Sequence, residues 1–196
     1  AEGGTGAAPL EFTDHVGAPL QEGLLLVHNT LVGLNLRERI KLGCAGKVIS
    51  AFDIARTMAL GADWCNAARG FMFALGCLQA QTCHTGHCPT GVTTQDPQRA
   101  KALVVPDKAG RVWRLHENTL EALKELVQAA GLRHPNEITA RHIVRRVSDQ
   151  DVKLLANLLP FLKPGSLLAA MRGDSDWPHN VYRLYWPMAQ SGSWQT

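Results

Sequence analysis

The chain has 196 residues, of which 45% are hydrophobic and 19% are charged, and its net charge is +3. This length is enough to bury one hydrophobic core or slightly more. The composition therefore excludes a disordered tail, a disulfide-dense mini-protein and a strongly basic nucleic-acid-binding protein. The longest strongly apolar stretch, residues 71–78, is far shorter than the roughly 20 residues that cross a bilayer, so we expect no membrane-spanning segment.

The first residues of the chain indicate a loop. Gly3, Gly4, Thr5 and Gly6 contain too much glycine for a helix or strand, and a backbone without side chains can approach a ligand closely. An ordinary flexible terminus is the alternative interpretation. The chain does not begin with Met, and we expect that it starts inside a motif, as the C-terminal part of a longer protein.

A long amphipathic helix is predicted next, followed by a short strand. Pro19 suits a first helical turn, and apolar residues then recur at helical spacing to about Arg39. Residues 40–46 form an apolar run that predicts the strand. Ser50 and Asp53 have the spacing of a capping box, which predicts the start of a second helix.

The second predicted helix stops at Gly61, and residues 62–72 contain another short strand that is broken at 67–70. The order helix, strand, helix, strand with short connections predicts βα units packed on a parallel sheet. A complete (β/α)₈ barrel needs eight strands and about 250 residues. Because the sequence indicates two strands, the chain cannot close such a barrel alone.

Helices are predicted to dominate after residue 100, and each is indicated by a pair of polar residues. The pairs are Asn118 with Glu121, Glu137 with Arg141, and Ser148 with Asp151. From about residue 165 the sequence becomes aromatic and irregular, which indicates a tail that packs on the body or on a partner. We therefore expect three regions: 1–100 with the βα units, 101–164 as a helical part, and 165–196 as the aromatic tail.

Three of the five cysteines lie close together in the sequence. Cys77, Cys83 and Cys88 have the spacing C-x5-C-x4-C. At about 100° per residue, Cys77 and Cys83 would point some 240° apart on a helix, so the segment has to wrap if the thiols converge. Gly86 permits a turn, and Pro89 moves Cys88 out of helical dihedral angles. Clustered thiols are typical of metal or cluster chemistry in a reducing compartment.

Three interpretations of these thiols remain open. Three converging thiolates suit an iron–sulfur cluster, and a Cys followed by Pro ends one kind of bacterial iron–sulfur motif. A structural zinc with His84 or His87 as a further ligand is the second interpretation, and simple packing is the third. Cys44 and Cys65 lie in the two apolar strands, where packing is favoured.

The two predicted strand ends carry small and basic residues. Gly46-Lys47 follows the first strand and Ala68-Arg69 follows the second. Small residues let backbone amides approach a phosphate, and the basic side chains add charge, although each segment could be only a turn. Together they are similar to the phosphate site that follows strands seven and eight of a (β/α)₈ barrel.

Several motifs resemble one protein family over about residues 1–100. These are the segments 3–7, 61–63 and above all 75–96, in which the cysteines precede C-P-T-G-V-T-T-Q-D. They resemble the FMN-binding synthase domain of the glutamate synthase family, particularly its short proteins without a glutaminase domain. The resemblance implies an α/β fold, namely the C-terminal portion of an FMN-binding TIM (β/α)₈ barrel followed by an iron–sulfur loop and a helical C-terminal extension.

The resemblance also assigns residues to cofactors. The three ligands of a [3Fe–4S] cluster would be Cys77, Cys83 and Cys88. The loops that hold the flavin phosphate would contain Gly46, Lys47, Ala68 and Arg69. The loop beside the flavin and the substrate would contain Gly3, Gly4, Thr5 and Gly6. The resemblance assigns no catalytic side chain within this chain.

The implied activity is a reductive synthesis of L-glutamate from 2-oxoglutarate and ammonia in the cytoplasm. Electrons would pass from a donor, either ferredoxin or a reductase subunit, through the cluster to FMN, which delivers hydride to 2-iminoglutarate. Two alternatives use the same scaffold: an N-methylglutamate synthase that accepts methylamine, and an electron-transfer or subunit-interaction module that is inactive alone.

Overall fold

The computed structural model describes residues 8–192 of the chain. Its helices are α1 Leu10–His15, α2 Leu20–Gly33, α3 Ala51–Ala59, α4 Arg69–Leu75, α5 Pro97–Ala100, α6 Val105–Ala129, α7 Leu155–Leu158, α8 Ser166–Arg172 and α9 Asn180–Tyr185. Its strands are β1 Gly43–Ala45, β2 Trp64–Asn66, β3 Val144–Arg146 and β4 Val152–Leu154. The fold is therefore mixed α/β. None of the described helices combines the length and the apolar character that crossing a membrane requires.

The centre of the fold is a parallel pair of short strands joined through a helix. Strands β1 and β2 pair in parallel, as the sequence predicted, and Cys44 lies opposite Cys65. Helix α3 connects them and begins with the expected capping box: the Ser50 hydroxyl accepts from the Asp53 N–H, and the Asp53 carboxylate accepts from the Ser50 N–H. The carboxyl ends of both strands therefore lie at one edge of the sheet.

Helix α2 is shorter than predicted, because it ends at Gly33 instead of near Arg39. The helix ends where Asn35 adopts a left-handed conformation with φ +58°, and a separate 3₁₀-helical turn covers Arg37–Arg39. The polar residues after Gly33 leave the helix and become free to contact the amino ends of the strands. Arg37 makes such contacts, which are described below.

Helix α6 is longer than predicted. It begins at Val105, so Asn118 lies inside the helix and does not cap it, and the predicted start was wrong. Pro106 in the first turn supplies the start, because its fixed φ suits a helix and its missing N–H is not needed there. The helix packs against α3 and α4, and its residues Leu123 and Val127 are buried.

Neither of the two other helices predicted for residues 101–164 begins as predicted, and the second is reduced to the short α7. Glu137 ends a 3₁₀-helical turn, Pro135–Glu137, and accepts the Arg133 N–H. Ser148 and Asp151 form the turn of an antiparallel hairpin in which β3 pairs with β4, so the prediction of a helix was wrong there. The region is therefore not wholly helical.

The aromatic tail is also more regular than predicted, because it contains α8 and α9. It packs on the body: Leu167 is fully buried, and a Cβ at Gly33 of α2 would collide with its side chain. The hydroxyl of Tyr182, in α9, donates to the carbonyl of Leu26, in α2, at 3.3 Å.

One hydrophobic core joins the strand pair to the later helices and the hairpin. Its buried members come from α2, β1, α3, the loop from α3 to β2, α6, the segment before β3, and α7: Leu24, Cys44, Ala51, Ala55, Ala59, Leu60, Ala62, Leu123, Val127, Ile138, Ala140, Ile143 and Leu155. Cys44 thus packs as the sequence predicted, and Cys65 is half-buried beside it. All five cysteines are free thiols.

Candidate functional site

The loops at the carboxyl ends of β1 and β2 lie against each other. Gly46 is buried directly after β1, and the following Lys47 has a left-handed backbone with φ +48°. Ala68 caps the start of α4 without a side-chain hydrogen bond, and Arg69 is the first residue of that helix. A Cβ on the buried Gly70 would lie 3.7 Å from the Cα of Ile49, so the two loops are in direct contact.

The two basic side chains of these loops contact the same carboxylate group. Lys47 Nζ lies 3.5 Å and Arg69 Nη2 lies 4.0 Å from the same oxygen, Oδ1 of Asp14 in α1. That oxygen is buried and has no hydrogen-bond partner in the part of the chain that the structure describes. The carboxylate demonstrates that one anion can sit between the two cations. Sequence reasoning missed Asp14, because a single acidic residue in a short helix carries no signal of its tertiary partners.

A cavity of about 470 Å³ extends from the β1 end of this site. Gly46 and Lys47 line it together with Arg56 of α3 and Arg145 of β3. Glu22 of α2 contributes an acidic side chain to the same wall. The hairpin that sequence reasoning missed therefore adds a cation to the surroundings of Lys47.

The cysteine segment wraps instead of continuing α4. Gly76 ends that helix with φ +106°, and Gln79 and Gln81 both have left-handed backbones with φ +55° and +59°. Cys83–Thr85 then form a 3₁₀-helical turn that ends at Gly86, with φ +75°. The wrapping and the turn at Gly86 match the prediction from the cysteine spacing.

The three thiols of this segment line one small cavity. Met72, Leu78 and Val92 form part of its wall, and among the described residues that line it none is charged. The Gln79 N–H donates to the Cys77 sulfur at 3.4 Å. A sulfur-rich, uncharged pocket with N–H groups directed at sulfur has the donor chemistry that an iron–sulfur cluster uses.

The pKa of the Cys88 thiol is strongly shifted. Burial by itself would raise the pKa, but hydrogen bonds from Thr90 and Thr93 outweigh it and lower the pKa to about 6. The Thr90 hydroxyl lies 3.5 Å from the sulfur. Cys65 in β2 behaves in the opposite way, since burial and the adjacent Cys44 raise its pKa to about 11. Cys88 is therefore suited to act as a thiolate ligand, and Cys65 stays protonated.

Within residues 8–192, no three His, Cys, Asp or Glu side chains are close enough together to hold a single metal ion. A cluster makes a different demand, because each thiolate binds its own iron atom and the sulfurs need not surround one ion. His84 and His87 are exposed beside the cysteines and do not line the cavity that the thiols share.

A further cavity, of about 170 Å³, is lined by members of both groups of candidate residues. Arg69 and Asp14 line it together with Cys77 and Cys83. The carboxyl end of β2 and the cysteine segment thus face the same space. The predicted loop of Gly3, Gly4, Thr5 and Gly6 lies outside the described residues.

Comparison with known proteins identifies the family. Residues 1–133 match the family model described as a conserved region in glutamate synthase. Over 159 residues the chain is 41% identical to the glutamate synthase large subunit-like protein YerD of Bacillus subtilis (strain 168), an alignment that covers 81% of this chain and 30% of that protein.

Two further relatives carry the name of the enzyme. The archaeal glutamate synthase [NADPH] of Methanocaldococcus jannaschii is 38% identical over 131 residues, 67% of this chain and 26% of the relative. The ferredoxin-dependent glutamate synthase of Antithamnion sp. is 32% identical over 157 residues, 80% of this chain and 10% of the relative. The chain spans less than a third of the length of each of these relatives. It belongs to the glutamate synthase family.

Proposed function

We propose that this chain forms the C-terminal portion of an FMN-binding TIM barrel, with an iron–sulfur loop, in a glutamate synthase-type oxidoreductase. Residues 1–100 would supply the last βα units and the cluster loop. Residues 101–164 and 165–196 would form an extension that packs on these units. The reaction would be the reductive formation of L-glutamate from 2-oxoglutarate and ammonia.

One observation carries this proposal: Arg69 of the strand-end loop and two of the clustered cysteines, Cys77 and Cys83, line the same cavity. A flavin whose phosphate is held at the strand ends would therefore lie beside a cluster held by the cysteines. Electron transfer between two redox groups requires such proximity. The family membership supports the same pairing of sites.

The strand-end residues fit a flavin phosphate. Lys47 and Arg69 already hold one anionic group between them, the Asp14 carboxylate. Gly46 has no side chain and Ala68 only a methyl group, so neither would obstruct the approach of phosphate oxygens to the backbone amides. In this proposal Gly46, Lys47, Ala68 and Arg69 bind and orient the phosphate, and thereby fix the position of the flavin.

The donor set of the cysteine segment fits a [3Fe–4S] cluster, and the cavity of about 10 Å³ that the thiols line would have to widen to hold one. Cys77, Cys83 and Cys88 would each hold one iron, in a pocket without charged lining residues among those described. Thr90 and Thr93 stabilise the thiolate of Cys88 through hydrogen bonds. When bound, the flavin and the cluster supply the electron and hydride transfer, and this chain's residues bind, orient and shield them.

The electron donor would be ferredoxin or a reductase subunit. Among the relatives, one is named as ferredoxin-dependent and another as using NADPH. The Gly3–Gly6 segment remains the proposed loop beside flavin and substrate, and a reducing, cytoplasmic setting suits five free thiols.

Anaerobic reconstitution of the full-length protein with iron, sulfide and FMN tests this proposal. We expect visible flavin and iron–sulfur absorbance, with iron and acid-labile sulfide bound to the protein. Cys83→Ala should abolish iron and sulfide binding and retain FMN. Cys65→Ala, which removes a half-buried thiol outside the loop, is the matched control and should retain both cofactors.

Different failures point to different functions. A colourless preparation would contradict the proposal, and one zinc per chain without sulfide would indicate a structural metal site. A cluster without flavin would favour an electron-transfer module. Comparison of ammonia with methylamine as co-substrate of 2-oxoglutarate distinguishes glutamate synthesis from N-methylglutamate synthesis.

A further inference from the structure

We propose that Asp14 is an internal competitor for the flavin phosphate, so that phosphate binding replaces one anion with another between Lys47 and Arg69. The inference rests on the proposed function, because it assigns the phosphate to these two cations. It adds a residue from α1, outside the strand-end loops, that sets the affinity of the site.

The geometry shows that Asp14 is held loosely. Its Oδ1 atom lies 3.5 Å from Lys47 Nζ and 4.0 Å from Arg69 Nη2. Close charge-assisted hydrogen bonds are about 2.7–2.9 Å long. The oxygen is nevertheless buried and accepts no hydrogen bond from residues 8–192, which is an unfavourable state for a carboxylate oxygen. The two cations are therefore close enough to be neutralised by Asp14, but both contacts are longer than a close charge-assisted hydrogen bond.

A phosphate satisfies this site better than the carboxylate does. It carries more charge and more acceptor oxygens, and both lysine and arginine bind it well. A phosphate and the Asp14 carboxylate cannot both sit between Lys47 and Arg69, because two like charges at that distance repel each other. Phosphate binding therefore displaces the Asp14 side chain.

The displacement has a structural consequence for α1. Asp14 lies in the last turn of this six-residue helix and is its charged link to both strand ends. Asp14 also lines the cavity that contains Cys77 and Cys83. Occupation of the phosphate site is thus coupled to the position of α1 and to the wall of the cavity beside the thiols.

Asp14→Asn in the flavin-stripped full-length protein tests the proposal. The amide keeps the size of the side chain and removes its charge, so FMN should bind up to about fivefold more tightly, as expected for loss of a competing partly exposed ion pair. Riboflavin, which lacks the phosphate, should bind equally to both proteins. Glu11→Gln is the matched control, because Glu11 is exposed on the same helix and has no ion pair among the described residues.

A second measurement does not depend on flavin. Inorganic phosphate should increase hydrogen exchange of the α1 amides in the wild-type protein, and Asp14→Asn should show the fast exchange without phosphate. If the wild type binds neither FMN nor riboflavin, the flavin assignment fails, while the phosphate experiment still tests the competition. An unchanged or weaker FMN affinity in Asp14→Asn, or an equal gain for riboflavin or in Glu11→Gln, would overturn the proposal.

Discussion

Each end of the parallel strand pair carries one carboxylate between two cations, and the two arrangements differ in how closely the charges meet. At the amino end, Asp63 Oδ2 accepts from Arg37 Nη2 at 2.9 Å and from the Leu42 N–H at 2.7 Å. Lys41 Nζ lies 3.6 Å from the other oxygen. At the carboxyl end, Lys47 Nζ and Arg69 Nη2 lie 3.5 and 4.0 Å from Asp14 Oδ1, which accepts no hydrogen bond from the described residues.

Arg37 extends the satisfied network at the amino end. Its guanidinium also donates to the carbonyl oxygens of Ile40 and Gly61 at 2.9 and 2.8 Å, and to His28 Nδ1 at 3.2 Å. Gly61 has φ +113°, and a Cβ there would collide with the His28 ring. The residues before β1 and before β2 are thus fixed to each other and to α2.

Similar charges have different roles at the amino and carboxyl ends of the strand pair. Close, fully used hydrogen bonds hold the backbone in place and leave little capacity for a ligand. Longer contacts around an unsatisfied carboxylate leave two cations that can accept another anion. In parallel α/β proteins ligands bind at the carboxyl ends of strands and the opposite end contributes stability, and these two clusters follow that division.

The largest expected effect comes from Asp63→Ala. This change leaves the Leu42 N–H and the Arg37 guanidinium without their acceptor in a site where the Asp63 side chain is only 17% exposed. We expect a loss of about 2–3 kcal/mol in the free energy of unfolding, measured by urea denaturation. Asp14→Ala should cost less than about 1 kcal/mol, because its partners are not bound closely.

Equal losses in these two variants would contradict the comparison. Lys41→Ala is the control within the amino-end network, since Lys41 is 65% exposed and should contribute little to stability. A loss in Lys41→Ala as large as that in Asp63→Ala would mean that total charge, and not the close hydrogen bonds, stabilises this end.

The acid dependence of stability should show an intermediate effect. Burial by itself would raise the pKa of Asp63, but the Leu42 N–H and the Arg37 guanidinium outweigh it and hold the pKa below its usual range. The stabilisation is therefore fully present above the unfolded-state pKa of about 3.9 and is lost as the pH falls through the lower pKa of the folded state. The difference in unfolding free energy between wild type and Asp63→Asn should shrink in that window. A difference that stays constant from neutral pH into the acid range would refute this assignment.

Local signals predicted the parts of the fold that depend on neighbouring residues. The capping box of Ser50 and Asp53 forms because both hydrogen bonds join residues three apart. The same spacing at Ser148 and Asp151 forms a hairpin turn, because Val144 pairs with Leu154 and the flanking residues become strands. Sequence reasoning could not separate these two outcomes, since the second depends on pairing across the turn.

The sequence at the start of α6 contains residues that favour the beginning of a helix. Pro106 and Asp107 stand in its first turn, where a proline and an acidic residue are favoured. Asn118 also suits a helix start, but it is exposed and is tolerated within a long helix that packs through its other side. The choice between the two starts depends on the packing of α6 against α3 and α4.

In the candidate site too, contacts between distant parts of the chain could not be predicted from the sequence. The juxtaposition of Lys47 and Arg69 was predictable, because the carboxyl ends of adjacent parallel strands share one edge. The contact of Asp14 with these two cations was not predictable, because Asp14 belongs to a helix that precedes both strands. The role of Thr90 beside Cys88 likewise depends on the turn that follows Gly86, which brings the hydroxyl within 3.5 Å of the sulfur.

The smallest expected effect concerns salt, and it distinguishes the two carboxylates most directly. Raising the NaCl concentration from about 0.1 M to about 1 M shortens the screening length from about 10 Å to about 3 Å. The small stability difference between wild type and Asp14→Ala should then approach zero, because the Asp14 side chain is 31% exposed and its contacts are long. The loss in Asp63→Ala should persist, since salt does not restore an acceptor to the Leu42 N–H. Equal salt sensitivity in urea denaturation of the two variants would mean that the same kind of interaction stabilises both ends. The two cations at the carboxyl end would then be unable to exchange Asp14 for another anion.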